Sequence, residues 1–224
     1  MPFILPTAAR TIIFGNGPVS DLQAAGAVVR PGDFLIAADG GLHHLQALRL
    51  RPHVLIGDLD SIEPAEADAV LAAGGRVERF PARKDQTDLE LAVRLARAEG
   101  ATDLLIFGAL GGRWDQTLAN LLLLAHPDFR STRLRLMDGN QQIYLIQHET
   151  VIDGRPGDTV SLISLQGDAH GVTTRGLEYP LRRGSLSFGS TLGVSNVLVD
   201  SQGVVAVEDG LVACIVISHA PLAA

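Results

Sequence analysis

The chain of 224 residues has one cysteine, Cys214, one lysine, Lys84, and one tryptophan, Trp114. A lone thiol rules out a disulfide framework and a thiolate metal cluster. No apolar run approaches the roughly 20 residues that a helix needs to cross a bilayer; the most apolar stretches, such as Leu121 to Ala125, are short. Met1 to Arg10 lacks a basic segment followed by a long apolar core, so no signal peptide is read there, and a cytoplasmic location is expected. Net positive charge is lacking too. The balance is −7, which excludes a general nucleic-acid binder with a basic stripe. The histidines do not assemble: His43 and His44 are adjacent and face different ways on a helix, and no H-E-x-x-H spacing occurs. A G-x-S-x-G elbow, a Walker A loop and a G-x-G-x-x-G fingerprint are all missing.

What is present is an apolar content of 46%, enough for a folded core. The chain reads in two rhythms. Over residues 1–141, apolar runs ending at Phe14, Ala38, Ile56, Phe80, Phe107 and Met137 alternate with helical patterns at Gly41 to Leu50, Pro64 to Ala73, Asp88 to Ala98 and Trp114 to Ala125. This alternation predicts an α/β domain with a Rossmann-like, mostly parallel, covered sheet. Thr87 precedes Glu90 by three residues, the spacing of a capping box at a helix start. Over residues 142–224, short β-type runs from Thr159 to Ile217 are punctuated by glycine and aspartate, which predicts a smaller antiparallel β domain, a β-sandwich or a small barrel.

In an open parallel sheet, ligands bind beyond the carboxyl ends of the strands. The turns there read GNGP from Gly15, ADGG from Ala38, GDLDS from Gly57, ARKDQTD from Ala82 and GALGGRWDQ from Gly108. Asp58 and Asp60 stand at i and i+2, so in extended chain their carboxylates point to one side. Such a pair suits magnesium, which takes a couple of carboxylates plus waters and phosphates. It equally suits an Asx turn ahead of the helix at Pro64. Asp88 can complement a helix dipole or hold a metal, and Lys84 can meet a phosphate or pair with Asp85. The glycines from Gly108 to Gly112 permit close backbone approach at a helix start, and Arg113 adds a planar cation suited to phosphate. Asp115 is either a metal ligand or a helix-start acid. Together Asp39, Asp58, Asp60, Asp85, Asp88 and Asp115 outnumber Lys84 and Arg113, so this edge would repel a triphosphate unless divalent cations were present.

The ordered set ADGG at Ala38, GDLDS at Gly57, KDQTDLE at Lys84 and GALGGRWDQTLANL at Gly108 resembles the thiamine pyrophosphokinase family of the bacterial kind. So do GVTTRGLEYPL from Gly171 and SFGSTLGVSN ending at Asn196. The resemblance implies transfer of the terminal diphosphate of ATP to the hydroxyethyl oxygen of thiamine, giving thiamine diphosphate and AMP, with Mg2+ as cofactor. Carried over, Asp58, Asp60, Asp88 and Asp115 organise metal and phosphates, with Asp58, Asp60 and Asp88 as metal ligands. Asn16, Asp39, Gly40, Lys84, Asp85, Gly111, Arg113 and Gln116 then form the ATP side. Gln116 stands where many members have histidine. Tyr179, Ser195 and Asn196 match the thiamine side, Tyr179 falling where some members carry tryptophan. The resemblance further implies a homodimer with thiamine between the first domain and the β domain of the partner subunit. Two alternatives stand beside it: a pyrophosphokinase for another alcohol, such as a hydroxymethyl pterin, which would keep the same aspartates, and a nucleotide-binding regulatory protein without turnover, which would be expected to lose metal-binding carboxylates that are all present here.

Overall fold

The computed structural model describes residues 10–219. Met1 to Ala9, where no signal peptide is expected, lies outside them. Two compact units are present. One runs through Leu123 and includes Asp128–Gly139; the other runs from Asn140 and includes Leu124–Pro127.

The first unit is built from β1 (Arg10–Phe14), α1 (Leu22–Val28), β2 (Phe34–Ala38), α2 (Gly41–Ala47), β3 (Val54–Gly57), α3 (Pro64–Ala72), β4 (Arg76–Arg79), α4 (Asp88–Ala98), β5 (Asp103–Phe107), α5 (Trp114–Leu123) and β6 (Arg133–Asp138). The strands lie in the order β6-β5-β1-β2-β3-β4, and every neighbouring pair is parallel. Strand β2 reads FLIAA and is buried throughout, as expected of a strand covered on both faces. Its Leu35 and Ala37 join Ile12, Phe14, Leu42, Leu45, Leu55 and Phe107 in one core. Phe14 and Phe107 stack at 5.2 Å across adjacent strands. Burying each such side chain contributes about 1.5–3 kcal/mol.

Helix α4 follows the expected bounds. Thr87 caps it, its Oγ1 accepting from Glu90 N at 3.2 Å. Glu90 carries the cap no further, since its carboxylate is taken by Arg94 Nε at 2.9 Å. Leu89, Ala92, Val93 and Ala96 form its buried face, which packs across β1, β2 and β3.

Helix α1 was not expected from the sequence. It has seven residues with Gly26 inside it, and its start is marked only by Asp21, whose Oδ1 accepts from Ala24 N at 2.9 Å. Tertiary packing overrides the weak propensity: Gly26 lies so close to Leu48 that an added Cβ would stand 2.7 Å from Leu48 Cδ2.

The second unit contains β7 (Gln141–Ile146), β8 (Thr150–Asp153), β9 (Thr159–Ser164), β10 (Ala169–Arg175), β11 (Gly184–Leu186), β12 (Asn196–Val197), β13 (Gln202–Ala206) and β14 (Val212–Ile217). Antiparallel pairing gives β12-β9-β14-β7 and β11-β10-β13-β8. Ile146, Val160, Leu162, Val212, Cys214 and Val216 from the first set share a core with Ile152, Val172, Leu186 and Val205 from the second. Strands β7 and β8 are additions to the sequence reading. β7 opens on two glutamines and β8 has only four residues with polar ends, so packing rather than composition defines them.

His53, just before β3, ties the entry of that strand to the start of β2. Its Nδ1 accepts from Leu35 N at 3.0 Å and its ring stacks on Phe34 at 4.8 Å. Burial lowers its pKa below the ordinary 6.5. Below 6.5 the unfolded chain binds a proton at this position before the folded chain does. Its contribution is therefore complete above 6.5 and shrinks as pH falls toward the lowered folded value. Thermal melts between about pH 7.5 and about pH 5.5 should show a loss of Tm. In His53→Asn, which keeps an acceptor but cannot titrate, that loss should be smaller.

Candidate active site

The strand order reverses direction between β1 and β5, which makes this point the switch of the parallel sheet. Here the turns after β1 and β5 lie backbone to backbone. Gly15 N donates to Phe107 O at 2.8 Å and Gly17 N to Gly108 O at 2.9 Å. Gly108 has φ of +67°, and a Cβ on it would stand 2.4 Å from Gly15 O, so only glycine fits. A cleft of about 520 Å³ opens between these turns and the carboxyl ends of the neighbouring strands. Asn16, Asp39, Asp58, Asp60, Lys84, Asp88, Gly111, Arg113 and Gln116 line it.

Asp39, Asp58 and Asp60 each offer a carboxylate oxygen, and these oxygens lie within 4.8 Å of one another. Asp39 directly follows β2, with φ of +48°, and is 7% exposed. Its Oδ2 accepts from Ser61 Oγ at 2.7 Å and Asn16 Nδ2 at 3.1 Å, while its buried Oδ1 has no hydrogen-bond partner. Asp58 and Asp60 do converge, but not by strand alternation. Leu59 between them has φ of +61°, so the chain is turned, and Asp60 N donates to Asp58 Oδ1 at 3.2 Å. The Asx turn and the carboxylate cluster are thus the same feature. Repulsion from Asp58, and after it Asp39, pushes the Asp60 carboxyl above its ordinary range. A divalent cation would relieve that repulsion and satisfy Asp39 Oδ1, so the residues fit one.

Asp88 opens α4 beside this cluster, close behind Gly57. A Cβ on Gly57 would press on Asp88 Oδ1 at 3.1 Å and Asp39 Cβ at 3.3 Å. Lys84 reaches in from the loop before the helix and lies 3.1 Å from Asp88 and 3.8 Å from Asp58. Its partner is therefore not Asp85, which is exposed and does not line the cleft. Gly40 is also outside the lining; it is buried against Asn16 and precedes α2. Asp115 stands apart as well. Its carboxylate is exposed and held by Arg113, with Nε donating to Oδ1 at 3.1 Å, and the hydrogen bond from Arg113 lowers its pKa. Trp114 is 83% exposed and does not line the cleft.

Three contributors escaped the sequence reading. Ser61 fixes Asp39. Thr117 Oγ1 donates to Gly111 O at 3.2 Å, and buried Asn120 Nδ2 donates to Ala109 O at 2.8 Å, fastening the glycine turn to α5. Thr117 and Asn120 share a helix face with Arg113 by their i+4 and i+7 spacing, and that periodicity was the available signal.

In the second unit, Asn196 is buried and clasps the backbone of Tyr179. Its Nδ2 donates to Tyr179 O at 2.8 Å and its Oδ1 accepts from Tyr179 N at 3.0 Å. Tyr179 itself is 64% exposed. Ser195 adopts φ of +62° and its N donates to Ser161 Oγ at 3.0 Å.

A parallel sheet whose switch point carries a glycine-walled cleft and clustered carboxylates has the build of an α/β transferase that handles polyphosphate. Comparison with known proteins narrows the class. Residues 27–136 match the family described as thiamin pyrophosphokinase, catalytic domain. Residues 144–212 match that described as thiamin pyrophosphokinase, vitamin B1 binding domain. The thiamine pyrophosphokinase of Bacillus subtilis (strain 168) is 32% identical over 179 residues, which are 79% of this chain and 83% of the relative. A crystal structure of thiamine pyrophosphokinase from Bacillus subtilis matches with a TM-score of 0.82 at 30% identity, over 94% of this chain and 99% of that one. A thiamin pyrophosphokinase family protein from Enterococcus faecalis matches at 0.79 and 25% identity, over 94% and 100% of the two chains. The chain belongs to the thiamine pyrophosphokinase family.

The interlock of the two turns is open to test. Gly108→Ala should lower the unfolding free energy by about 1–3 kcal/mol through backbone strain, and by more through its clash with Gly15. Gly167→Ala, with φ of +64° and open space around it, carries only the strain. Urea denaturation of the two variants should rank Gly108→Ala as the more destabilised.

Proposed function

We propose that this chain carries out the reaction its family is named for: transfer of the terminal diphosphate of ATP to the hydroxyethyl oxygen of thiamine. The thiamine oxygen forms a bond to the β-phosphorus, the bond from that phosphorus to the α,β-bridging oxygen breaks, AMP leaves with that oxygen, and the alcohol proton is released. The observation that carries this reading is the convergence of Asp39, Asp58 and Asp60 within 4.8 Å in a glycine-walled cleft, on a chain that matches both family domains in order.

Asp39, Asp58, Asp60 and Asp88 would hold Mg2+, which when bound neutralises phosphate charge that these carboxylates would otherwise repel. The remaining work falls to the chain's own groups. The turns at Gly15–Gly17 and Gly108–Gly112 bring backbone close to the nucleotide, and the N-terminus of α5 offers free amides to a phosphate. Lys84, Arg113 and Gln116 supply donors for the phosphate oxygens. Catalysis of this kind is mostly positioning and charge neutralisation. Asp115 serves by holding the Arg113 guanidinium in place, in keeping with its ion pair.

On the thiamine side, the exposed ring of Tyr179 would face the cationic substrate, with Ser195 beside Asn196 as a polar neighbour. Asn196 acts chiefly by fixing Tyr179, since its amide is engaged with that residue's backbone. A homodimer with thiamine at the subunit interface is part of the proposal. Its support is family likeness together with the exposure of Phe188, Leu192, Val194 and Val199 along the segment that leads to and from Ser195. A cytoplasmic location is also proposed, on a chain whose single thiol leaves no disulfide to lose in a reducing compartment. No helix among the described residues is long and apolar enough to cross a membrane.

Incubation with ATP, Mg2+ and thiamine should yield AMP and thiamine diphosphate in equal amounts. Formation of ADP instead, or of AMP only with a pterin alcohol, would overturn the reading. Asp58→Ala and Asp60→Ala should each reduce turnover roughly 100-fold or more. Their melting temperatures should hold or rise, because each substitution relieves carboxylate repulsion. Near-normal rates in both variants would reduce the pair to a turn.

A further inference from the structure

Lys84 is the only lysine in a chain that uses arginine everywhere else, and its ammonium is drawn into the acidic cleft. The side chain is only 10% exposed. Its Nζ lies 3.1 Å from Asp88 Oδ1 and 3.8 Å from Asp58 Oδ2, and it donates to Pro81 O at 3.2 Å. Among the described residues, no other basic side chain comes within ion-pair distance of Asp39, Asp58, Asp60 or Asp88. The fit is poor. Asp88 Oδ1 is buried and receives no aligned hydrogen bond despite the nearby ammonium, and buried Asp39 Oδ1 has no partner either. Four carboxylates face one positive charge.

We propose that Lys84 is a tethered placeholder cation: in the free protein its ammonium holds the side of the cleft that a divalent metal would take, and it is displaced when metal and nucleotide enter together. This rests on the reading that the carboxylates take a divalent cation. A magnesium ion must approach carboxylate oxygens to about 2.0–2.1 Å, and an ammonium already seated against Asp58 and Asp88 opposes it by volume and by like charge. Lysine suits the task better than arginine. It is a compact point charge on a flexible stem, able to leave two carboxylates and meet an incoming phosphate, whereas a guanidinium is a rigid fork. The consequence is ordered loading. Metal alone competes with Lys84, while metal accompanied by polyphosphate gives the ammonium a new anionic partner.

The test is Mn2+ binding without nucleotide, read from the spin-resonance signal of the free ion. It compares the wild type, Lys84→Met, which keeps the stem and removes the charge, and Lys84→Arg, which keeps a charge. Lys84→Met should bind Mn2+ about tenfold or more tightly than the wild type. Lys84→Arg should stay weak. In the metal-free state Lys84→Met should melt below the wild type, and Mn2+ should raise its melting temperature by the larger amount. Lys84→Gln serves as the neutral variant if Lys84→Met does not fold. Equal or weaker Mn2+ binding by the neutral variant, with measurable binding by the wild type, overturns the placeholder role alone. Absence of Mn2+ binding in every form, even with a non-hydrolysable ATP analogue added, overturns the metal reading and the inference with it.

Discussion

The mutual repulsion of carboxylates at the carboxyl edge of the parallel sheet is the constraint from which the rest follows. Asp39 and Asp58 directly follow the fully buried strands β2 and β3, and one carboxylate oxygen from each of Asp39, Asp58 and Asp60 lies within 4.8 Å of the others. The raised pKa of Asp60 and the unpartnered Oδ1 of Asp39 express the same unrelieved charge. Proteins retain such arrangements where a ligand supplies the missing counter-charge.

Backbone conformation shows how the cluster is enforced. Asp39 and Leu59 both adopt positive φ, a conformation that costs a non-glycine residue about 1–3 kcal/mol. Ser61 and Asn16 both donate to Asp39 Oδ2, and Asp58 accepts the Asp60 amide. Glycine at 57 leaves room for Asp88 to close the set. On the opposite wall, Thr117 and Asn120 fasten the glycine turn, and the turns after β1 and β5 lock through Gly15, Gly17 and Gly108. One wall therefore carries negative charge and the other offers backbone and Arg113, a division that suits a metal-bound polyphosphate.

Much of this was legible in the sequence. The bounds of β2 and β14 follow from their apolar runs and the start of α4 from the Thr87 to Glu90 spacing, and the alternation of strands and helices announces the parallel sheet. The turn motifs locate the edge on which Asp39, Asp58, Asp60 and Asp88 meet. What escaped depended on three-dimensional packing. Helix α1 is short and contains Gly26, and β7 and β8 mix polar with apolar residues. Extended-chain geometry brought Asp58 and Asp60 to one side for the wrong reason, because φ at Leu59 is not visible in a leucine. Sequence neighbourhood suggested Asp85 as one partner for Lys84, whereas the fold pairs that ammonium with Asp58 and Asp88. It likewise grouped Asp115 with the other acids, although Arg113 claims it.

The central claim is that these carboxylates form one site for a divalent ion shared with a polyphosphate. Crystals grown with Mn2+ and a non-hydrolysable ATP analogue would test it most directly through anomalous scattering. The account predicts a manganese peak bounded by Asp39, Asp58, Asp60 and Asp88, with phosphate oxygens of the analogue completing its shell. A peak elsewhere on the chain, or an analogue seated in the cleft with no metal against these side chains, would contradict it.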